Sequence, residues 1–132
     1  MKKRVILSVV ITVCLFITIG CSRKKENVEE ISMIIKEGTL TNTSATIIIS
    51  DNTNKNYVYA EDFKIQKKVR GRWKDLPSKT IFFNALGYYV DENGKLEMEC
   101  NWKSMYGELE KGMYRLIKTA GNMEIYADFA IN

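Results

Sequence analysis

Glu97 and Glu99 flank Met98, and on a β-strand that spacing sets two carboxyls about 7 Å apart on one face. A glycosidase divides acid and base or nucleophile work over such a separation. The chemistry also needs a cleft that strips water from one carboxyl and raises its pKa. The run Leu96-Glu97-Met98-Glu99-Cys100-Asn101-Trp102 predicts instead a strand with one side in the core and one in water. Alternation alone accounts for both glutamates, and it puts Cys100 on the apolar side as a packed core thiol. The chain has no histidine, which removes Ser-His-Asp and Cys-His catalytic groups and the usual zinc ligand set. Neither G-x-x-x-x-G-K-S/T nor G-x-G-x-x-G occurs, so nucleotide binding has no support. In Asp51-Asn52-Thr53-Asn54-Lys55-Asn56 a lysine takes the place of an oxygen ligand and no bidentate Glu follows, so a strand connection is expected there rather than a calcium loop. No catalytic residue, cofactor or metal is expected.

Binding chemistry has a better candidate. Lys64, Lys67, Lys68, Arg70, Arg72 and Lys74 surround Trp73. If two strands pair across Arg70-Gly71, several of these cations fall on one exposed ribbon, suited to anionic lipid, envelope polymer or an acidic protein. Lysines on an edge hairpin also keep a sheet from pairing with other sheets. That second reading explains the lysines but not two arginines beside an aromatic. Tyr88, Tyr89 and Tyr106 are further aromatics, expected in core or corner packing.

The elements that must carry these residues have a period of two. Leu96 to Trp102 is the clearest strand; Ile125, Ala127, Phe129 and Ile131 alternate with polar neighbours in a last one, and Phe63 and Ile65 in an early one. Shorter candidates are Met33 to Lys36, Thr46 to Ile49, Tyr57 to Tyr59, Arg72 to Asp75 and Tyr114 to Lys118. Ile47-Ile48-Ile49 predicts a central strand covered on both sides. Ser78 to Val90 is irregular, fitting either a strand pair or a helical turn and a strand, and Ser104 to Lys111 admits a turn of helix. Turn residues at Asp51 to Asn56, Arg70-Gly71, Asn93-Gly94 and Gly121-Asn122 divide the strands at the close spacing of a sandwich or barrel.

The N-terminus is an address. Met1-Lys2-Lys3-Arg4 is followed by the apolar run Val5 to Ile19 and then Gly20-Cys21, the layout of a secretory signal. Ile17-Thr18-Ile19-Gly20-Cys21 resembles the lipobox of bacterial lipoproteins, with Thr18 departing from the usual Leu or Val. An uncleaved anchor helix is the rival reading, but the run of about 15 to 16 residues is shorter than the roughly 20 that cross a bilayer core, so spanning would demand local thinning or help from the flanking lysines. The lipobox resemblance implies cleavage before Cys21, a signal peptide over residues 1–20, and a diacylglyceryl group on Cys21, which two acyl chains make a stable anchor. Residues 21–31 then form a charged tether, whose Arg23-Lys24-Lys25 either meets anionic lipid or is merely solvated. Without Lys2, Lys3 and Arg4 the mature chain carries 17 Lys and Arg against 16 Asp and Glu. So small an excess argues against a nucleic-acid partner. With Cys14 removed and Cys21 acylated, Cys100 stands alone, and no intrachain disulfide is expected.

One local pattern sharpens the fold. In Leu109-Glu110-Lys111-Gly112-Met113-Tyr114-Arg115-Leu116 a glycine precedes by two residues a tyrosine at a strand start, as in the tyrosine corner of immunoglobulin-like sandwiches, and Leu116 falls where antibody domains place their second disulfide cysteine. Lys36 to Thr43, Tyr57 to Lys68, Gly71 to Leu76, Leu96 to Trp102 and Leu109 to Lys118, in that order, resemble a bacterial Ig-like domain family of secreted and lipid-anchored proteins of Gram-positive bacteria. The resemblance implies an all-β immunoglobulin-like sandwich of about seven strands over residues 32–132, on the extracytoplasmic face of the cell membrane, and brings no catalytic residue with it. Two functions follow as expectations: a non-enzymatic interaction module binding a protein or envelope polymer, or a structural or accessory subunit of an envelope complex. A hydrolase would need a cleft that takes a carboxylate pair out of water.

Overall fold

The computed structural model describes residues 30–132. The apolar run, Cys21 and nearly all of the tether lie outside the described residues. The period-two runs form β1 (Ile31–Ile35), β2 (Ser44–Asp51), β3 (Tyr59–Ala60), β4 (Lys64–Val69), β5 (Arg72–Asp75), β6 (Gly87–Tyr88), β7 (Lys95–Asn101), β8 (Gly112–Ala120) and β9 (Met123–Ile131), with one helical turn, α1 (Lys103–Tyr106), between β7 and β8. One sheet has the order β1-β2-β7 and the other β5-β4-β8-β9; β3 and β6 form a separate two-residue pair. All pairings are antiparallel. The chain changes sheet between β2 and β4, between β5 and β7 and again between β7 and β8, the crossovers that make a sandwich of the immunoglobulin type. Seven longer strands carry the architecture, as the sequence predicts.

Alternation decides which side chains meet. Ala45, Ile47 and Ile49 from β2 and Met98 and Cys100 from β7 face Ile65 from β4, Tyr114 and Leu116 from β8 and Ile125, Ala127 and Phe129 from β9 across one buried core. Trp102, directly after β7, is fully enclosed. Its indole stacks on Phe129 with centroids 5.7 Å apart, and Phe129 stacks on Tyr114 at 5.6 Å. Three rings thus run from one sheet into the other. The Tyr114 hydroxyl donates to the Glu110 carbonyl at 2.6 Å, which is the tyrosine corner, and Leu116 is fully buried two residues on.

Three expectations change. β2 is central, but only Ile47 and Ile49 are buried; Ile48 is half-buried because no second layer covers the outer face. Ser78 to Val90 forms neither a strand pair nor a helical turn: the segment runs irregularly to Gly87–Tyr88, which pairs with Tyr59–Ala60. Phe83 set edge-on to Phe63 at 5.8 Å and the Lys79 N–H donating to the Met105 carbonyl hold it instead. β1 begins at the buried Ile31, one residue before the expected domain start. Gly94 is obligatory at its turn, since its φ is +73° and a Cβ there would lie 2.5 Å from the Asp51 carbonyl oxygen.

Two buried polar groups tie connections to the core. The Lys118 ammonium, inside the sandwich, donates to the Ala60 carbonyl at 2.5 Å and the Asp62 carbonyl at 2.9 Å, which clamps the link between β3 and β4. Desolvation holds its pKa below the ordinary lysine value. Asp51 accepts from the Thr53 hydroxyl at 2.6 Å, the Thr53 N–H at 2.9 Å and the Tyr59 hydroxyl at 2.8 Å. Burial alone would raise the Asp51 pKa, but the donors outweigh it and hold the carboxyl below its usual value. The charged carboxylate therefore stabilises the fold above the unfolded carboxyl range, and that contribution is lost as pH falls through the lower folded pKa. Tyr59→Phe should cost about 2 kcal/mol at neutral pH, and both it and Asp51→Asn should flatten thermal stability against pH on the acid side; an acid limb unchanged in both variants would assign the acid sensitivity elsewhere.

Candidate functional site

The cationic hairpin closes on Arg70-Gly71, with φ of +52° and +78°, the left-handed pair that a two-residue hairpin turn requires. Its register sets Lys68 opposite Trp73, Gln66 opposite Asp75, Lys67 opposite Lys74 and Val69 opposite Arg72. Opposed residues share a face. Lys64, Lys68 and Trp73 therefore lie on the outer face of the four-stranded sheet, Lys67, Arg72 and Lys74 on the other side, and Arg70 at the tip. The two strands pair across Arg70-Gly71 as expected, and the register divides the cations between the two faces of that ribbon. Lys64 pairs with Glu124 at 3.3 Å, and the Lys67 ammonium lies 5.7 Å from the Tyr114 ring.

The outer face holds a constellation that the sequence does not reveal. Register continues from Gln66 to Arg115 on β8 and from there to Asp128 on β9. The Arg115 guanidinium carbon lies 4.2 Å from the Trp73 ring centroid and 3.9 Å from that of Tyr126, so a cation is held between two aromatics. Its Nε and Nη2 donate to the two Asp128 carboxylate oxygens at 2.6 and 3.0 Å, and this pairing raises its pKa. Gln66 Nε2 donates to Asp75 at 2.9 Å, and the Lys68 ammonium lies 5.7 Å from the Trp73 ring. The result is a fixed strip, Lys68, Trp73, Arg115 and Tyr126, with Tyr126 53% exposed. Tyr126 and Asp128 were visible only as the polar alternates of β9; their meeting with Trp73 depends on strand order.

The glutamate pair occupies a second surface. A cleft of about 510 Å³ beside β7 is lined by Glu61, Phe63, Phe83, Tyr88, Glu97 and Glu99. The Lys36 ammonium donates to both Glu97 carboxylate oxygens at 2.9 and 3.1 Å, and both glutamates are exposed. They form a wet, partly neutralised surface rather than a desolvated acid. The Tyr88 hydroxyl donates to Glu61 at 2.8 Å, which raises the phenol pKa. Tyr106, at the end of α1, accepts the Ile65 N–H at 3.1 Å, whereas Tyr89 is exposed. Cys100 is buried, and burial pushes its thiol up to about 11. Among the described residues no group of three or more Cys, Asp or Glu is placed to hold a metal ion.

Charge is polarised rather than in excess. Residues 30–132 carry 14 Lys and Arg against 14 Asp and Glu, yet six of those cations fall between Lys64 and Lys74 with no acid among them. A family model for a bacterial Ig-like domain matches residues 25–130, and the strand order and tyrosine corner agree with it. The chain belongs to the bacterial Ig-like domain family. No curated protein and no solved structure matches it. In this Ig-like domain the crossover between sheets is closed by Tyr114 and the core by Trp102, with a leucine at the position of the second antibody cysteine.

Arg115→Ala should free one face of Trp73, shifting its indole N–H resonance while that of the enclosed Trp102 stays in place, at a stability cost of about 1 kcal/mol. Arg115→Lys should not restore the resonance, because an ammonium lacks the flat fork; restoration by lysine would show that charge alone sets the strip. In a Cys21→Ser background, thiol reagents should label Cys100 only on unfolding.

Proposed function

We propose that this Ig-like domain is a non-enzymatic interaction module, lipid-anchored through Cys21 on the extracytoplasmic face of the bacterial cell membrane, which engages an anionic envelope polymer or an acidic protein surface through the strip Lys68, Trp73, Arg115 and Tyr126 and the adjoining cationic hairpin. The observation that carries this reading is the arginine fixed between the half-buried Trp73 and the exposed Tyr126, beside six clustered cations in a domain whose charges otherwise balance only through them. Edge protection accounts for Lys67 and Lys74, which lie on or beside the edge strand β5. It does not account for Arg115, which lies on the inner strand β8. Ordering the guanidinium in advance lowers the entropy cost of binding, and planar donors beside aromatic rings suit phosphate, carboxylate or sugar surfaces. The apolar run that ends in Gly20-Cys21 supports the anchor, and the short charged tether keeps the domain near the bilayer.

Two measurements test this. The intact mass of the membrane-extracted protein should show loss of residues 1–20 and a diacylglyceryl-sized addition that Cys21→Ala abolishes; a full-length mass would replace the lipid with an anchor helix. Co-sedimentation of the protein with isolated cell envelope should weaken as salt rises and fall at least ten-fold in Lys68→Glu/Arg72→Glu. Equal sedimentation of this variant would exclude the hairpin as the contact.

A further inference from the structure

β7 is an edge strand, and its hydrogen-bond parity can be read from its two ends. The Gly94 carbonyl accepts the Asp51 N–H, and the Trp102 N–H donates to the Thr43 carbonyl, at 2.8 and 2.9 Å. Even-numbered residues along β7 thus direct their backbone groups to β2. The Lys95 carbonyl accepts the Asp91 N–H on the opposite side, so odd-numbered residues point away from it. The N–H and C=O groups of Glu97, Glu99 and Asn101 consequently face outward, and among the described residues no strand lies beyond them. What lies there is the cleft of about 510 Å³, with Phe63, Phe83 and Tyr88 on its far side. The register of β7 on β2 is unbroken from Lys95 to Asn101 and contains neither proline nor bulge, so the usual devices that blunt an edge are missing beyond its charged side chains.

We propose that this edge is a strand-addition site for an extended segment of a partner protein in which cationic and apolar side chains alternate. The backbone of Glu97, Glu99 and Asn101 presents donors and acceptors at every second residue, which an extended chain alone matches. Side chains of an added strand would alternate between the two faces of the sheet. Those on the outer face lie beside the exposed carboxylates of Glu97 and Glu99, which favours Lys or Arg. Those on the inner face lie beside Met98 and in front of Phe63 and Phe83, which favours Val, Ile or Leu. Glu61 at the rim adds a third carboxylate of the same sign. The site shares with the proposed function only the premise of an interaction module, and it lies on a different sheet from the cationic hairpin.

The test uses the full processed protein in detergent micelles and a six-residue capped peptide alternating Lys and Val as probe, read by hydrogen–deuterium exchange. The peptide should slow exchange in residues 95–102 and leave residues 64–75 unchanged. The same peptide N-methylated at the amides of one edge should lose binding, and Glu97→Lys/Glu99→Lys should weaken it at least ten-fold. Lys68→Glu/Arg72→Glu should leave it intact, so the two surfaces succeed or fail separately. Unchanged exchange in 95–102, or equal binding of the methylated peptide, which needs no variant protein, would overturn the site. Protection of 95–102 that grows with protein concentration without peptide would overturn the partner segment in favour of a second copy of this chain.

Discussion

The two sheets stay together through Trp102. Cys100 is the lone cysteine of the described domain, so no covalent bond crosses the core where antibody domains place one. The stack of Trp102, Phe129 and Tyr114 stands in that role. Each ring contributes about 1.5–3 kcal/mol through burial, and offset stacking adds about 0.5–1.5 kcal/mol per pair. Trp102 also fixes direction: its backbone N–H donates to Thr43 and its indole N–H to Asn42, while Leu109 donates to the same Asn42 carbonyl. One short segment before β2 therefore receives both the end of β7 and the approach to β8, which sets where the crossover from β7 to β8 begins. Tyr114 closes that crossover four residues after Glu110.

Once this core is fixed, the surfaces follow from alternation. Every strand that sends an apolar residue inward sends its neighbour out, so the position of Tyr114 and Leu116 in the core dictates that Arg115 lies on the outer face. The same rule on β9 sends out Tyr126 and Asp128, and the register of β5 delivers Trp73 to that face. The opposite sheet exposes Glu97 and Glu99 by the same logic. A domain with no net charge thus acquires an aromatic face with paired charges beside a cationic hairpin, and an acidic edge, on different sheets.

Features set by neighbours in sequence were legible. The strands, the Arg70-Gly71 turn and the tyrosine corner depend on residues two to nine positions apart, where period and turn chemistry speak directly. Features set by strand order were not. Nothing in Trp73, Arg115 and Tyr126 as letters says that β5, β4, β8 and β9 lie side by side in that sequence, so the stacked guanidinium emerged only with the topology. Lys118 ends a strand candidate with nothing nearby in sequence to pair it, yet it is buried because two carbonyls beside β3 replace water as acceptors for its ammonium. Ser78 to Val90 has no period at all; aromatic contact with Phe63 positions it. Ile48 shows the opposite error, in which three isoleucines suggest a layer on both sides when only one is there.

The most direct test of the contact surface is site-specific photo-crosslinking in intact cells, with the photoreactive residue placed in turn at Tyr126, at Lys68 and at Ile48, which lies on the outer face of the other sheet. One shared envelope adduct is expected from Tyr126 and Lys68 and none from Ile48. The same adduct from Ile48 alone would contradict this and move the binding surface to the opposite face of the sandwich.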